Sequence, residues 1–419
     1  MKFLWIALLV SVTSVCSAQH FTVKEISFEG LKRVDESLLR HLIKVHVARP
    51  YDSLQVVTDL ERLNRLPAIA KASVVKIINE DSTYTLRYKI IENFAIIPGL
   101  RIGQANDDSF AFRASVFDFN FLGQSQIIGG FFQKDVFSSF GAYWEAPFLF
   151  SNKWGLGLNY IDNITFEPVY FQDEPFNYKK EDRGLEMYIL YEIDFHNKAE
   201  LGVRFFDESY VYNETPAAEN LPNDLNANKT FYRAQYETNF LDIDYQYVVG
   251  FRNIFDVSYQ TGGDGLLGDT FIATNSFEYF KKLGERGNWA NRLQLGYSSF
   301  TKTEFAPFTI DNQFNLRGSG NDSNRGTSFV FVNTEYRYTL LEKDWFVMQG
   351  NTFVDAGILQ EPKGSLSTIT PKSSFEIYSG IGIRFLHKRI FNAVIRLDYG
   401  VGIGSRDSRG FVFGIGQYF

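Results

Sequence analysis

Cysteine is nearly absent from this 419-residue sequence, which contains one, Cys16. A single cysteine can form neither a disulfide scaffold nor a zinc ribbon, so both classes are excluded. Basic residues are not in excess, because 42 Lys and Arg stand against 49 Asp and Glu, for a net charge of −7. This mild acidity argues against nucleic acid as a partner. The aromatic content of 17% excludes intrinsic disorder, since disordered chains have few aromatic residues.

Long hydrophobic runs are also missing after the first residues. Met1 and Lys2 make a short basic start, residues 3–15 are almost wholly apolar, and small residues precede Gln19. This pattern predicts a secretory signal, residues 1–18, cleaved after Ala18. An uncleaved anchor and a lipoprotein cleaved before Cys16 are the alternatives. Beyond this segment no apolar run reaches the roughly 18 residues of a membrane-spanning helix, so the chain could span a bilayer only as a closed β-barrel.

Catalytic motifs are missing as well. The sequence contains neither H-E-x-x-H nor G-x-S-x-G, and none of its five histidines lies near a plausible nucleophile. We therefore expect no enzymatic activity, no catalytic residues, no metal site and no cofactor.

Residues 20–93 have the pattern of a small α/β domain. A strand over residues 21–28 ends at Gly30, and Asp35 opens a first helix. A second helix over residues 54–66 carries an apolar stripe at helical spacing. Two strands follow, over residues 70–78 and 83–91, joined by a polar turn. The predicted order is β-α-α-β-β. The members of the stripe are Leu54, Val57, Leu60, Leu63 and Leu66.

Residues 94–419 alternate with a period of two and divide into sixteen strand-like segments. Short turns follow the even-numbered segments and long polar loops follow several odd-numbered ones, as in an outer-membrane barrel. Over residues 330–340, Phe331, Asn333, Glu335 and Arg337 would face a wet lumen, and the intervening apolar and aromatic residues would face lipid. The predicted fold class is mainly β, a sixteen-stranded antiparallel transmembrane barrel preceded by the α/β domain. A large soluble β-sandwich or propeller is the alternative.

The first domain resembles the POTRA module, the periplasmic polypeptide-transport-associated domain, in its element order and in residues 23–30, VKEISFEG. The barrel resembles the BamA/TamA superfamily of outer-membrane assembly and translocation proteins, in a short single-POTRA form. The matching motifs are NLRGS at 315–319, FVDAG at 353–357, GIGIR at 380–384 and RLDYG at 396–400. Ser319 departs from the family's aromatic after Arg-Gly, and Gln417 departs from the apolar residue expected two positions before Phe419.

The first of these motifs lies in the longest loop, residues 301–327, called the sixth loop from here on. Arg317 is far enough along this loop to fold back into the lumen, where Glu335 and Asp355 are expected on adjacent strands. A guanidinium offers a rigid fork of donors that suits carboxylates. The resemblance implies that Arg317 and Gly318 lock the loop to the barrel wall. A solvated Arg317, or the use of Arg325 instead, is the alternative.

The resemblance implies insertion or translocation of client polypeptides at an outer membrane, with the POTRA-like domain in the periplasm of a Gram-negative bacterium. This domain would bind clients, periplasmic chaperones or accessory lipoproteins by strand addition at a sheet edge. The first and last barrel strands would meet in a lateral seam that glycines weaken. The predicted seam residues are Ile96, Ile102, Phe411, Gly414, Gly416 and Phe419. A two-partner-secretion pore for soluble proteins and a passive diffusion channel are the alternatives.

Overall fold

The structure is a computed structural model. It describes residues 21–104, 109–171, 174–213, 221–299, 301–310, 312, 314–320, 325–362, 375–390, 394–403 and 408–419. The predicted secretory signal, residues 1–18, lies outside these described residues.

The amino-terminal unit has the predicted β-α-α-β-β order. Its elements are β1 (Val23–Glu29), α1 (Glu36–Leu42), α2 (Ser53–Asn64), β2 (Ile69–Ile78) and β3 (Tyr84–Glu92). The sheet order is β1-β3-β2, with β1 parallel and β2 antiparallel to β3. Asp35 and Asp52 begin the two helices because their carboxylates accept the free backbone N–H groups of the first turns. No helix in the described ranges is both long and apolar enough to cross a membrane.

The buried face of α2 differs from the predicted stripe. Leu54 and Val57 are 78% and 51% exposed, whereas Val56, Asp59 and Leu63 are buried. A spacing of three residues drifts around a helix that has 3.6 residues per turn, so the first two members of the stripe leave the core face. Asp59 replaces an apolar residue there, because its carboxylate accepts the backbone N–H groups of residues 44 and 45 at 3.0 Å.

The rest of the chain forms a closed antiparallel barrel, in which sixteen long strands can be traced through the described residues. This result and the POTRA-like order confirm the predicted fold class. Three short strands, β12, β16 and β17, lie outside the set of sixteen. The elements are β4 (Ile96–Gln104), β5 (Phe110–Phe121), β6 (Gln126–Lys134), β7 (Ser138–Ala146), β8 (Trp154–Phe171), β9 (Glu174–Glu192), β10 (Asn197–Tyr212), β11 (Asp224–Asn239), β12 (Asp242–Asp244), β13 (Tyr247–Thr261), a 3-10 turn (Gly265–Leu267), β14 (Thr270–Leu283), β15 (Gly287–Ser298), β16 (Phe308–Thr309), β17 (Arg325–Gly326), β18 (Ser328–Glu342), β19 (Phe346–Gln360), β20 (Phe375–His387), β21 (Val394–Gly402) and β22 (Arg409–Ile415).

The two faces of the barrel wall differ in chemistry as predicted. Along β18, Phe331, Asn333, Glu335 and Arg337 are buried in the lumen, and the alternate residues from Val330 to Leu340 point outward. Large apolar side chains are exposed on the outside of strand after strand. An apolar exterior around a charged interior is the arrangement of a transmembrane barrel.

Strand length is uneven around the wall. β8, β9, β10 and β11 have 18, 19, 16 and 16 residues, against the roughly 9–11 that a tilted strand needs to span a bilayer. These four are the longest strands among the described residues, and they project at the long-loop end of the barrel. The sixth loop, which connects β15 to β18, packs against this projection.

Candidate functional site: the lumen lock and the barrel seam

The tip of the sixth loop lies inside the lumen. Leu316 and Arg317 are fully buried, and Leu316 packs in a small apolar cluster with Phe331 and Leu359 of the wall. A loop of this length carries many backbone polar groups, so it can enter a barrel only where side chains satisfy them. Asn333 supplies one such contact, because its amide nitrogen donates to the carbonyl of Asn315 at 2.7 Å.

Arg317 joins the loop to two carboxylates on neighbouring strands. Its Nε and Nη2 donate to the two oxygens of Asp355 at 2.8 and 3.0 Å, and its Nη1 donates to Glu335 Oε2 at 2.7 Å. The backbone N–H of Arg317 also donates to Asp355, at 3.0 Å. The guanidinium lies 3.6 Å from the ring centre of Phe353. The structure therefore brings together Arg317, Glu335 and Asp355, and it does not leave Arg317 solvated.

Glu335 is shared among three arginines. Arg384 donates to both of its oxygens at 3.0 and 2.9 Å, and Arg337 also donates to it through Nε. Each of these side chains is buried. Sharing one carboxylate among several guanidiniums offsets part of the cost of burying the charges, which is several kcal/mol per ion. The cluster fixes the relative positions of β18, β20 and the loop tip.

Gly318 allows the loop to touch the barrel wall. Its φ is +99°, and a Cβ added there would lie 2.8 Å from the carbonyl carbon of Gly400 on β21. A Cβ added to Gly400 would in turn lie 2.5 Å from the carbonyl oxygen of Arg317. A glycine inside a strand often marks such a close approach of two backbones. Gly400 belongs to the matching motif RLDYG at 396–400, but the motif gave no indication of this contact with the loop.

Asn312 connects the loop tip to the last strand, and the sequence gave no signal for it. Its Oδ1 accepts the N–H of Gly318 at 2.6 Å, and its Nδ2 donates to the carbonyl of Phe411 on β22 at 3.3 Å. The Tyr418 hydroxyl donates to its backbone carbonyl at 3.5 Å. The side chain of Asn312 thus bonds both the loop tip at Gly318 and the last strand, β22.

Ser319 and Arg325, which the sequence analysis also named in the sixth loop, lie in different parts of the loop. Ser319 is buried, and its hydroxyl has no hydrogen-bond partner among the residues that the structure describes. Arg325 is also buried, but at the base of the loop, where it donates to the carbonyl of Ala306 at 2.7 Å and pairs with Glu167 of β8. Arg325 therefore does not replace Arg317, because the two arginines hold different parts of the loop.

The seam between β4 and β22 is short. The two strands are in register at two positions, Ile102 with Phe413 and Arg101 with Gly414, whereas β8 and β9 pair along the whole of β8. Ile96 lies beyond this overlap and pairs with β5. Phe411 is 65% exposed on the outer surface. Of the predicted seam residues, Ile102 and Gly414 are thus in the pairing itself.

The last strand is shorter than predicted, because it ends at Ile415 and not at Phe419. Gly416 has a φ of +108°, a conformation that only glycine adopts readily. This residue donates its N–H to Val394 at 2.7 Å, and the chain then turns into the lumen. Residues 417–419, called the tail from here on, therefore lie beside the lock instead of in the seam.

Aromatic rings of the tail lie among arginines. The ring centre of Tyr418 is 4.4 Å from the guanidinium of Arg317, 4.9 Å from that of Arg396 and 5.1 Å from that of Arg292. Gln417 accepts a hydrogen bond from Arg384 at 3.4 Å. This contact gives a structural use to the polar residue that stands where an apolar one was expected.

The POTRA-like unit contacts the short-turn end of the barrel. Arg33 pairs with Asp118 at 3.2 Å, and the N–H of Asp35 donates to the carbonyl of Gly123 at 3.0 Å. On the other side, Arg65 donates to the carbonyl of Phe195 at 3.0 Å and lies 4.1 Å from its ring centre. Burial lowers the pKa of the Arg65 guanidinium from its ordinary value. Arg62 adds an ion pair with Glu192.

Across the ranges that the structure describes, no group of three or more His, Cys, Asp or Glu side chains is arranged to hold a metal ion.

Comparison with known proteins supports this architecture. Residues 21–93 match the family model "POTRA: Surface antigen variable number repeat". A sequence search of curated proteins finds no match.

Solved structures match over nearly the whole chain. BamA from Haemophilus ducreyi lacking POTRA domains 1–3 has a TM-score of 0.55 at 15% identity, covering 95% of this chain and 84% of that one. CdiB from Escherichia coli has a TM-score of 0.67 at 10% identity, covering 94% and 76%. CdiB from Acinetobacter baumannii has 0.61 at 13% identity, covering 95% and 74%. The chain thus joins a POTRA domain to a sixteen-stranded barrel with the fold of BamA and CdiB.

Proposed function

We propose that this protein inserts or translocates client polypeptides at an outer membrane. Residues 1–18 direct export, residues 20–93 form a POTRA-like domain in the periplasm, and residues 94–419 form the barrel in the membrane. The fold of BamA and CdiB, together with the apolar exterior of the wall, supports this location. The protein acts on its clients by binding and not by catalysis, without a cofactor.

The observation that carries the proposal is the short seam. Among the described residues, β4 is in register with β22 at two positions, although β4 pairs with β5 from Ile96 to Gln104. Within the described part of the chain, residues 96 to 100 of β4 therefore face the seam without a partner strand on that side. An unpaired strand edge is a template for another extended chain. A client strand could add here and enter the bilayer sideways.

The POTRA-like domain offers a second edge for extended segments. β2 is the outer strand of its sheet, on the side away from β1. Val75 and Ile78 on this strand are exposed, and a peptide pairing with β2 would cover them. Main-chain hydrogen bonds would give affinity with little sequence preference, which suits a domain that receives different clients or accessory proteins. Burial of client side chains in lipid would supply the driving free energy.

A disulfide across the seam tests the lateral route. Ile102→Cys and Phe413→Cys are placed at directly opposed positions, and the sole native cysteine, Cys16, lies in the predicted signal. We expect the disulfide to form in membranes and to stop client assembly. Reduction of the disulfide should restore client assembly. The matched control is Leu397→Cys with Phe413→Cys, which joins β22 to β21 and leaves the seam free.

Two outcomes would contradict the lateral route. If the seam disulfide forms and client assembly continues at the unmodified rate, clients do not pass through the seam. If both cysteine pairs block assembly equally, the effect is one of rigidity and not of opening.

Passage through the lumen is the second candidate, as in a pore that exports soluble proteins. It is favoured by the charged inner wall of β9 to β13, where Arg233 and Arg252 alternate with Glu200 and Glu237. A polar wall of this kind suits a hydrated chain. Export that continues with the seam disulfide closed would favour this candidate over lateral insertion.

A further inference from the structure

A cavity of about 240 Å³ lies at the long-loop end of the barrel, between the wall and the base of the sixth loop. We call it the loop-base cavity. Its wall is charged and is formed by inward-facing residues of β9, β10 and β11, whereas its roof is apolar and is formed by the 3-10 turn and the loop base. The charged wall residues are Lys180, Asp182, Arg204, Glu208 and Lys229, and the apolar roof residues are Leu266, Leu267, Phe305, Pro307 and Phe308.

The roof of the cavity is held in place by its own contacts. The Thr303 hydroxyl donates to the carbonyl of Leu266 at 2.6 Å and so joins the loop base to the 3-10 turn. A Cβ added to Gly263 would lie 1.9 Å from the carbonyl oxygen of Leu267, so a glycine is needed for the backbone to come this close. The ring of Phe305 packs on Tyr210 of β10. These contacts keep the loop base from collapsing onto the charged wall.

Two of the three cations in the wall have a carboxylate partner within the wall. Lys229 is buried and donates to Glu208 Oε2 at 2.6 Å, and Arg204 pairs with Asp182. These two pairs offset each other's charges at the cavity surface. They leave one cation of the described lining to be accounted for.

That cation is Lys180. Its ion pair with Glu167 is 3.8 Å long, beyond hydrogen-bond distance, and no other carboxylate of the described residues lies closer to it. Glu167 also pairs with Arg325, so its charge is shared. The Lys180 ammonium, which carries three N–H donors, is therefore the group in the wall that can bind an incoming acceptor.

The two surfaces of the cavity together define the ligand. Cavities that stay empty are apolar, so a cavity with a charged wall holds water or a polar ligand. Water can hydrate the wall, but it gains nothing at the apolar roof, where an apolar group would release water favourably. The volume is below the range of about 300–1,000 Å³ that is typical of pockets for drug-sized ligands. The fitting ligand is thus small, with an anionic group for Lys180 and an apolar body for the roof.

We propose that the loop-base cavity binds a small organic carboxylate, with its carboxylate on Lys180 and its apolar body against Phe305 and Leu267. Such a ligand contacts the barrel wall and the sixth loop at the same time, so its binding holds the loop base against the wall. The site is separate from the lock at Arg317 and from the seam. The proposal therefore goes beyond the proposed function and does not depend on it.

Binding of a fluorinated probe to the full-length protein in detergent tests the proposal. The probe is 4-fluorobenzoate, observed by fluorine NMR, and the control is 4-fluorobenzamide, which has nearly the same shape without the charge. We expect the benzoate to bind at least about tenfold more tightly, because a hydrogen bond between two charged groups is stronger than one to a neutral amide. Equal affinities, or no binding of the benzoate at millimolar concentration, would overturn the proposal.

A lysine substitution tests the anchor. Lys180→Met keeps an unbranched side chain and removes the ammonium, so it should weaken benzoate binding at least about tenfold and abolish the preference over the amide. The matched control is Lys198→Met, at another lysine of the inner wall, which pairs with Glu237 at 3.0 Å and lies outside the cavity. Equal effects of the two substitutions would overturn the assignment of Lys180.

A second substitution tests the location without changing any charge. Ile272 lines the cavity from β14, and Ile272→Phe should fill part of it and abolish binding of the benzoate. The control is Ile254→Phe on β13, which lies outside the cavity and faces inward, since its neighbour Phe255 is exposed on the outer surface. Unchanged binding in Ile272→Phe would place the probe elsewhere and overturn the site.

Protease sensitivity tests the connection to the loop. Bound benzoate should slow cleavage within residues 301–307 several-fold in the unmodified protein, and it should have no effect in Lys180→Met. Cleavage that is unchanged at saturating benzoate would overturn the claim that the ligand holds the loop base against the wall.

Discussion

A single buried guanidinium makes most of the charged contacts between the sixth loop and the wall. The guanidinium of Arg317 donates to both carboxylate oxygens of Asp355, and the backbone N–H of Arg317 donates to one of them. Glu335 has two other arginine partners, but the side-chain contact of Asp355 comes from Arg317. Loss of Arg317 would therefore leave the charge of Asp355 buried and poorly paired. Removal of one partner from a buried pair costs about 3–5 kcal/mol.

Arg317→Ala should accordingly release the tip of the sixth loop. We expect faster proteolytic cleavage in the loop and reduced client assembly, while the barrel still inserts in the membrane. Arg317→Lys should restore only part of the protease protection and of the client assembly, because an ammonium cannot make the paired contact of the guanidinium fork. The control is Arg286→Ala, at an exposed arginine in a turn. Unchanged protease sensitivity and activity in Arg317→Ala would refute the lock.

The position of the loop tip can also be tested from β21, which lies two strands away from Asp355 in the barrel wall. Gly400→Ala places a methyl group 2.5 Å from the carbonyl oxygen of Arg317, so the loop tip must move. We expect the loop to become protease-sensitive, as in Arg317→Ala, without any change of charge. The control is Gly410→Ala on the adjacent strand, where the nearest atom to the added Cβ is 3.6 Å away. Equal sensitivity of the two variants would show that contact with Gly400 does not hold the loop.

Among the elements, the barrel strands were the most predictable. A wall between lipid and a charged lumen requires apolar and polar residues to alternate along each strand. The orientation of residues such as Val330 and Glu335 can therefore be predicted from their polarity. Helix α2 was less predictable, because Asp59 on its buried face bonds backbone groups after α1 and resembles a surface residue in sequence. The end of β22 depends on the positive φ of Gly416, and a glycine alone does not reveal which conformation it adopts.

The candidate site was predictable only in part, for a related reason. Arg317, Glu335 and Asp355 are charged residues on a loop and on predicted inward faces, so their pairing follows from the pattern. Asn312 is one polar residue in a polar loop, and its role arises from the tertiary approach of loop, tail and β22. No periodicity in the sequence records such a contact.

The POTRA-like domain contacts the barrel through residues at its helix ends, which meet the barrel turns. Arg65 contacts the turn after β9 through its guanidinium, and Arg62 contacts Glu192. Arg65→Ala should raise hydrogen exchange at residues 193–197 by about tenfold, since a hydrogen bond with a charged donor contributes about 1.5–3 kcal/mol. The control is Arg49→Ala, at an exposed arginine of the same domain. Equal protection of the turn in both variants would contradict docking through Arg65.

In the whole molecule, the sixth loop spans the lumen and joins its two sides. Its tip is bound to β18 and β19 by Arg317, whereas its base contacts the long strands on the far wall. Phe305 lies in an aromatic cluster there, with ring centres 4.6 Å from Tyr210 and 5.4 Å from Tyr178. Arg325 adds the pair with Glu167 of β8. A cavity of about 240 Å³ lies beneath this cluster, lined by Lys180, Lys229 and Phe305 among others.

Phe305→Ala should therefore open the long-loop end of the barrel. The substitution removes the ring that packs the loop against β9 and β10, and truncation of a buried Phe costs about 3–5 kcal/mol. We expect larger and more frequent conductance steps in planar bilayers, with the lock at Arg317 intact and the loop tip still protected from protease. The control is Phe314→Ala in the same loop, where the ring is about half exposed. If conductance in Phe305→Ala equals that of the control, the lumen is closed by the lock alone, and the contacts at the base of the loop do not contribute to the seal.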